Sequence, residues 1–234
     1  MLNRRSFCTC ASLSLLAGLS SAAHAQSTDC TIFTPARQKE VSPDEAIARL
    51  VAGNARFTAG KSVNCNLMQQ VKETAHGQAP FAAVVGCIDS RVPPELVFDQ
   101  RIGDIFCARV AANFVNTDIL GSLEFATKVT GARAIIVLGH NDCGGIKGAI
   151  DNVKLGNLTA MLTNIRPAVE ATKTEGDRTS KNKAFVQTVA IANAKLTAQK
   201  ITQASPVMKQ LVDAKQLRVV PAMHDLETGK VTLV

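Results

Sequence analysis

Residues 81–88 read FAAVVGCI and residues 134–138 read AIIVL, followed by Gly139. Both runs are almost entirely apolar, which is the pattern of a strand buried on both faces of a sheet. A shorter apolar run spans Ile105–Val110. Segments with helical periodicity separate the three runs. Strands that alternate with helices predict an α/β fold, with a mostly parallel sheet covered by helices on both faces.

A helix is predicted to begin at Ser42, which can cap it. Pro43 suits the first turn, and Glu45 follows the cap by three residues, as in a capping box. Gly60 is a suitable end for this helix. Its predicted buried face comprises Ile47, Leu50, Val51, Asn54 and Phe57.

The remaining elements follow from periodicity and from helix-start signals. We expect residues 61–80 to be loop-like, with at most one helical turn. The other predictions are a helix from Asp118 to about Val129, mostly helical structure over residues 144–204 with a break near 176–183, a helix from Ser205-Pro206 to about Ala214, and short strands at Leu217–Pro221 and Val231–Val234.

The composition favours one folded domain, which we place at residues 42–234. Of the 234 residues, 46% are hydrophobic and 19% are charged, which supports one sizeable core and excludes a disordered chain or a coiled coil. The chain has no Trp or Tyr and only 9 Phe, which disfavours a function that needs aromatic platforms, such as single-stranded nucleic-acid binding. Its net charge of +7 comes from scattered basic residues, which favours a solvated surface over a nucleic-acid interface.

Residues 1–25 have the anatomy of an export signal. Arg4 and Arg5 precede an apolar stretch that ends in an Ala-x-Ala cleavage pattern at residues 23–25. The order NRRSF at residues 3–7 resembles a twin-arginine signal, with an ordinary secretory signal as the alternative. The apolar stretch is shorter than a membrane-spanning helix. We therefore expect a periplasmic protein without a stable membrane anchor, in which residues 26–41 form an extended arm.

Cysteine usage points to metal. Removal of the signal would leave Cys30, Cys65, Cys87, Cys107 and Cys143. An odd number is not a complete disulfide framework, so some thiols need another role. Cys30 and Cys65 lie in loop-like sequence where an oxidising compartment permits a disulfide, although the sequence leaves this pairing open. Cys107 is expected to be a buried core thiol.

Metal-ligating side chains follow two of the apolar runs. Cys87 comes at the end of the first, and His140 and Cys143 follow the last. The carboxyl ends of parallel strands meet at one edge of the sheet, where ligands bind. Two thiolates and one imidazole suit zinc. Three protein ligands leave the fourth tetrahedral position open, which is typical of a catalytic zinc site.

Asp89 and Arg91 lie just after Cys87. A guanidinium keeps a neighbouring carboxylate ionised and fixes it by a bidentate pair. We expect this carboxylate to accept the hydrogen of a zinc-bound hydroxide and so to direct the oxygen lone pair toward an electrophile. His76, His224 and Asp142 are expected to be structural or surface residues rather than proton carriers.

The motif pair Cys87-x-Asp89-x-Arg91 and His140-x-x-Cys143 resembles that of the β-class carbonic anhydrases. The resemblance extends from about Val41 to Val234. It includes IGDIFCARVAAN at residues 102–113, GSLEFA at 121–126 and DLETGKV at 225–231.

The resemblance implies a carbonate dehydratase, a lyase with one Zn²⁺ per subunit held by Cys87, His140 and Cys143. Zinc lowers the pKa of bound water to about 7, so a zinc-bound hydroxide would attack carbon dioxide and give bicarbonate and a proton. Asp89 and Arg91 would form the catalytic dyad.

The resemblance also implies that backbone N–H groups near Gly144 hold the substrate oxygens. The expected fold is a mostly parallel sheet flanked by helices, with an N-terminal helical arm. The expected assembly is a homodimer or a dimer of dimers, in which the helix at residues 42–59 packs across the partner.

The sequence departs from the family pattern at three points. Ala112 stands where Gly is usual, and Phe125 stands where Tyr is frequent. Some members hold a regulatory bicarbonate with a Trp, a Tyr and an arginine that matches Arg109, and this chain has neither Trp nor Tyr. We therefore expect Asp89 to pair with Arg91 and bicarbonate to act without cooperativity.

Two other functions remain open from the sequence. Hydrolysis of carbon disulfide or carbonyl sulfide would use the same metal site, and the access channel would decide between the substrates. A non-catalytic zinc-binding protein is the other alternative, which the presence of Asp89 and Arg91 disfavours. The chain has no Cys-x-x-Cys pair, which argues against thioredoxin-like redox chemistry.

Overall fold

The computed structural model describes residues 30–234, so the predicted export signal lies outside the described residues. The strands are β1 Ala82–Gly86, β2 Ile105–Arg109, β3 Ala134–His140, β4 Arg218–His224 and β5 Val231–Leu233. They form one sheet in the order β2-β1-β3-β4-β5. The first four are parallel and β5 is antiparallel to β4, which confirms the predicted α/β fold.

Helices connect and cover these strands. They are α1 Pro35–Glu40, α2 Pro43–Thr58, α3 Leu67–Thr74, α4 Pro94–Val97, α5 Thr117–Glu124, α6 Gly144–Ile150, α7 Gly156–Leu162, α8 Arg166–Ala171, α9 Lys183–Ala204 and α10 Pro206–Asp213. A π-helical turn, Phe125–Val129, continues α5. Within residues 30–234, none of the helices has the length and apolar character needed to cross a membrane.

The central strands β1 and β3 are buried along their whole length because both faces of the sheet are covered. On one face, Val85 and Val137 pack in a cluster with Val189 of α9. On the other face, Ile136 packs in a cluster with Leu50 of α2. This two-sided core holds the carboxyl ends of β1 and β3 rigidly side by side.

The predicted helix starts at Ser42 and Ser205 are confirmed. The Ser42 hydroxyl accepts a hydrogen bond from the Glu45 N–H at 3.2 Å, and that of Ser205 accepts one from the Met208 N–H at 3.1 Å. The predicted face of α2 is buried at Ile47, Leu50 and Asn54. Phe57 is only half-buried, and Val51 is 41% exposed.

Three local predictions were wrong. Residues 26–41 do not form a wholly extended arm, because α1 lies within them and Gln38 anchors it by donating to the Pro80 carbonyl at 2.6 Å. Residues 61–80 contain the eight-residue helix α3 rather than a single turn. Helix α5 is capped by Asn116 rather than by Asp118, since Asn116 accepts the Ile119 N–H at 3.0 Å.

The apolar face of α2 packs against its own subunit, and the expected packing of residues 42–59 across a partner stays a prediction for the other faces of the helix. Ala46, Ile47 and Leu50 are buried in the core of their own subunit. The Asn54 side chain of α2 also donates hydrogen bonds to the carbonyls of Val97 and Gly229. Helix α2 therefore packs on the domain of its own subunit.

The five cysteines of residues 30–234 fall into two groups. Cys30 and Cys65 form a disulfide that joins the N-terminal segment to the sequence before α3. Cys87, Cys107 and Cys143 are free thiols. Cys107 is half-buried rather than fully buried, because β2 is an edge strand whose residues are only partly covered.

Candidate metal centre

The three predicted ligands meet at the carboxyl ends of β1 and β3. Cys87 directly follows β1, His140 is the last residue of β3, and Cys143 is the residue before α6. Because β1 and β3 are adjacent and parallel, residues 56 positions apart come together. The three ligand atoms lie within 4.8 Å of one another, and all three residues are buried.

The geometry fits a tetrahedral zinc ion. The Sγ atoms of Cys87 and Cys143 are 3.9 Å apart, and two thiolates bound to one tetrahedral zinc lie about 3.8 Å apart. The His140 Nδ1 lies 2.8 Å from the Asn141 carbonyl, which fixes Nδ1 as the protonated nitrogen. The His140 Nε2 is buried and has no hydrogen-bond partner among residues 30–234, so its lone pair is available to a metal.

Hydrogen bonds around Cys87 and Cys143 favour the binding of a cation by these thiols. The hydrogen bond from Cys143 lowers the pKa of Cys87 well below its usual range, and amides of Ala112 and Asp89 donate to Cys87 Sγ at 3.3 and 3.4 Å. The neighbouring Cys87 sulfur raises the pKa of Cys143. The two sulfurs are therefore joined by one hydrogen bond, and both can bind a divalent cation as thiolates once that proton is lost.

The predicted pairing of Asp89 with Arg91 is confirmed. Arg91 donates through Nε to Asp89 Oδ1 at 2.9 Å and through Nη2 to Oδ2 at 2.7 Å. These bonds hold the pKa of the Asp89 carboxyl well below its usual range. Asp89 Oδ2 lies 3.9 Å from the unpartnered Nε2 of His140. An ionised oxygen of fixed orientation thus borders the place where a metal would bind.

Sequence reasoning missed two residues that support this centre. Arg109 on β2 donates to the carbonyls of Cys87 at 2.9 Å and Asp89 at 2.7 Å, although the sequence suggested only a role with an anion. Asn193 on α9 is buried and donates to the Ala112 carbonyl at 2.7 Å. An asparagine in a helical sequence carries no signal for a partner 81 residues away.

Of the other residues singled out from the sequence, Asp142 and Gly144 adjoin Cys143 in the chain. Gly144 is exposed, and the space next to its Cα is open. Asp142 is exposed and forms an ion pair with Lys147, and His76 is exposed. His224 is buried next to His140 in the strand register, and burial lowers its pKa.

Comparison with known proteins gives one consistent result. A family model described as "Carbonic anhydrase" matches residues 82–231. The chain is 30% identical over 203 residues to "Carbonic anhydrase 2" of Mycobacterium tuberculosis (strain CDC 1551 / Oshkosh), which covers 82% of this chain and 93% of that protein. It is 28% identical over 195 residues to a carbonic anhydrase of Synechocystis, covering 78% and 69% of the two chains.

Solved structures share the fold. A β-carbonic anhydrase of Aspergillus fumigatus superposes with a TM-score of 0.62 at 24% identity, covering 80% of this chain and 90% of that one. A β-carbonic anhydrase of Sordaria macrospora, described as tetrameric, has a TM-score of 0.61 at 24% identity, with coverage of 80% and 96%.

Proposed function

The chain belongs to the β-class carbonic anhydrase family, and we infer from its metal centre that it catalyses the reversible hydration of carbon dioxide to bicarbonate and a proton. The observation that carries this inference is the cluster of Cys87, His140 and Cys143 beside a carboxylate. A structural zinc site would use a fourth protein ligand, whereas three ligands leave a position for chemistry.

Zinc held by these ligands would act as a Lewis acid and would make hydroxide available near neutral pH. The Asp89 carboxylate is placed to accept a hydroxyl hydrogen at Oδ2 and so to orient the nucleophile toward carbon dioxide. Arg91 keeps that carboxylate ionised and holds it in one orientation. We assign Asp89 and Arg91 to the catalytic dyad on this basis.

Gly144 would border the substrate. It follows Cys143 directly, and apart from its chain neighbours and its own helix no heavy atom of residues 30–234 lies within 4 Å of the position a Cβ would take. Backbone N–H groups at this point can donate to the oxygens of carbon dioxide as negative charge develops on them.

Stopped-flow hydration of carbon dioxide by zinc-loaded mature protein tests the function. We expect Cys143→Ala to lose most of the zinc and essentially all of the rate. Cys107→Ser is the matched control, because Cys107 is also a free cysteine but lies outside the cluster. Full zinc content and full rate in Cys143→Ala would contradict the assignment. Turnover of carbonyl sulfide or carbon disulfide without hydration of carbon dioxide would favour the alternative hydrolase.

We also propose that the protein is exported to the periplasm by the twin-arginine route, with removal of residues 1–25. The proposal is supported by the basic pair and cleavage pattern of the sequence. The disulfide between Cys30 and Cys65 is in keeping with it, since such bonds persist in oxidising compartments. We expect Arg4→Lys with Arg5→Lys to block export, and mass spectrometry of the exported chain to find Gln26 at its N-terminus.

We further propose that the protein is a homodimer or a dimer of dimers. The edge strand β2 has no strand on its outer side in the described part of the chain. Next to it, Phe106 packs edge-on against Phe125, which is 50% exposed, and the two residues line a cavity of about 510 Å³. Light scattering should give a dimer or tetramer, and Phe125→Glu should shift it toward the monomer. A wild-type monomer would refute the proposal.

A further inference from the structure

Cys87 receives its closest amide hydrogen bond from a backbone turn that lies far from it in the sequence. The Ala112 N–H donates to Cys87 Sγ at 3.3 Å. Ala112 is fully buried, and its φ of 63° is followed by a φ of 46° at Asn113. We call these two residues the Ala112–Asn113 turn. Both are in the left-handed region, which is costly for residues with a Cβ.

The turn is confined by the segment that carries the other thiolate. A Cβ on Gly145, two residues after Cys143, would lie 2.9 Å from the Ala112 Cβ and 3.2 Å from the Ala112 nitrogen. The turn therefore packs between the two cysteine segments of the metal centre. A small displacement of Ala112 would move its N–H away from the Cys87 sulfur.

A strained backbone persists only where its surroundings over-determine it. Here the Ala112 carbonyl accepts a hydrogen bond of 2.7 Å from Asn193 Nδ2. Asn193 is 3% exposed and lies on α9, which also packs against β3 and β4. A side chain on a helix that is packed in the core therefore holds the carbonyl group of Ala112 in place.

We propose that Asn193 is a positioning residue of the metal centre. It fixes the Ala112–Asn113 turn so that the Ala112 N–H stays on the Cys87 thiolate. Hydrogen bonds that favour the ionised thiolate, and second partners of metal ligands in general, strengthen metal binding. Asn193 thus acts through Ala112 and Cys87 and touches neither substrate nor metal. The proposal rests on the zinc centre of the proposed function.

The test measures the zinc dissociation constant of the mature protein by competition with a chelator. Asn193→Leu removes the donor and keeps the number and branching of the side-chain heavy atoms, and we expect zinc binding to weaken by about tenfold or more. The matched control is Thr172→Val. Thr172 is also buried and also donates to a backbone carbonyl at 2.7 Å, that of Ala168, which is not connected to the metal centre. The control should bind zinc within about twofold of the wild type.

A second readout follows the sulfur itself. In the cobalt-substituted protein, loss of the N–H bond raises the energy of the sulfur lone pairs of Cys87. Asn193→Leu should therefore shift the thiolate-to-cobalt charge-transfer band to longer wavelength, and Thr172→Val should not. A purely structural role of Asn193 would not move this band.

The same substitution in the Ala112→Gly background isolates the positioning role. Glycine adopts positive φ without a steric penalty, so the turn needs less support. We expect Asn193→Leu to weaken zinc binding several-fold less there than beside Ala112, which is a coupling between the two sites. This background also serves if Asn193→Leu alone does not fold.

Failure of the proposed function and failure of the positioning role of Asn193 would give different results. If the wild type does not bind zinc, the proposed function fails. If the wild type binds zinc and Asn193→Leu binds it equally well, or Thr172→Val weakens binding as much, the positioning role is refuted. Equal losses in the wild-type background and in the Ala112→Gly background would refute it as well.

Discussion

Arg109 donates a 2.7 Å hydrogen bond through Nη2 to the carbonyl oxygen of Asp89. Its Nε donates to the Cys87 carbonyl at 2.9 Å. The guanidinium therefore supports the backbone that carries a metal ligand and the catalytic carboxylate. An arginine engaged in this way is a poor anchor for a regulatory anion.

We expect bicarbonate to act as product or simple inhibitor, without cooperativity. Cooperative regulation requires that bicarbonate bind one conformation of the protein better than another. This chain has neither the Trp nor the Tyr that would form such a binding site with Arg109. Initial rates against bicarbonate concentration should be hyperbolic at every pH tested. A sigmoidal response would contradict the prediction. As a comparison, Arg109→Gln should weaken zinc binding and leave the curve hyperbolic.

Asp89→Asn should retain zinc and lose activity. The amide keeps the shape of the carboxylate but replaces one acceptor oxygen with a donor and removes the charge that Arg91 balances. We expect the rate of hydration to fall by roughly ten- to a hundredfold. Zinc content measured on the same sample is the control. A wild-type rate at normal zinc content would remove Asp89 from the mechanism.

Breaking the disulfide should lower stability and leave the metal centre intact. The bond closes 35 residues, which in the chain-entropy model stabilises the native state by about 4 kcal/mol. For a domain of this size, Cys30→Ser should lower Tm by roughly 8–16 °C. Zinc content and rate should not change. Titration of denatured, unreduced mature protein should give three free thiols, and five would exclude the bond.

His224 should make stability depend on pH. Burial lowers its pKa below the ordinary histidine value of 6.5, so on acidification the unfolded chain takes up a proton before the native state does. The free energy of unfolding therefore falls as pH decreases below about 6.5, by at most about 1.4 kcal/mol per pH unit. His224→Phe should reduce this fall.

The measurement is urea unfolding from about pH 7.5 to about pH 5.5, with chelator present so that metal release does not contribute. His76→Gln is the control, because His76 is exposed and its substitution should leave the pH dependence unchanged. An equal pH dependence in the wild type and His224→Phe would show that another group is responsible.

The sequence was sufficient for the strands and for the ligand set. The apolar runs at residues 81–88 and 134–138 are continuous because β1 and β3 are covered on both faces. Ser42 and Ser205 mark the starts of their helices through side chains that bond amides three residues away. In each case the cause is local or periodic, so it can be seen in a single sequence.

The rest depends on contacts between distant segments. Arg109 was associated with an anion because its backbone partners, the Cys87 and Asp89 carbonyls, have no sequence signal. Asn116 and Asp118 both belong to residue types that cap helices well. The helix begins after Asn116 because the backbone there is extended, which the sequence does not reveal. The half-burial of Cys107 follows from the position of β2 at the edge of the sheet, which strand order decides.

The parallel pairing of β1 with β3 has a kinetic consequence. The ligand set does not exist until Gly86 lies beside Leu138, which requires closure of a loop of about fifty residues. Pairings between distant strands are slow steps of refolding. The rate at which the cobalt–thiolate absorption appears during refolding would therefore measure the rate at which β1 pairs with β3. The bound metal ion would thus be a spectroscopic probe of sheet formation.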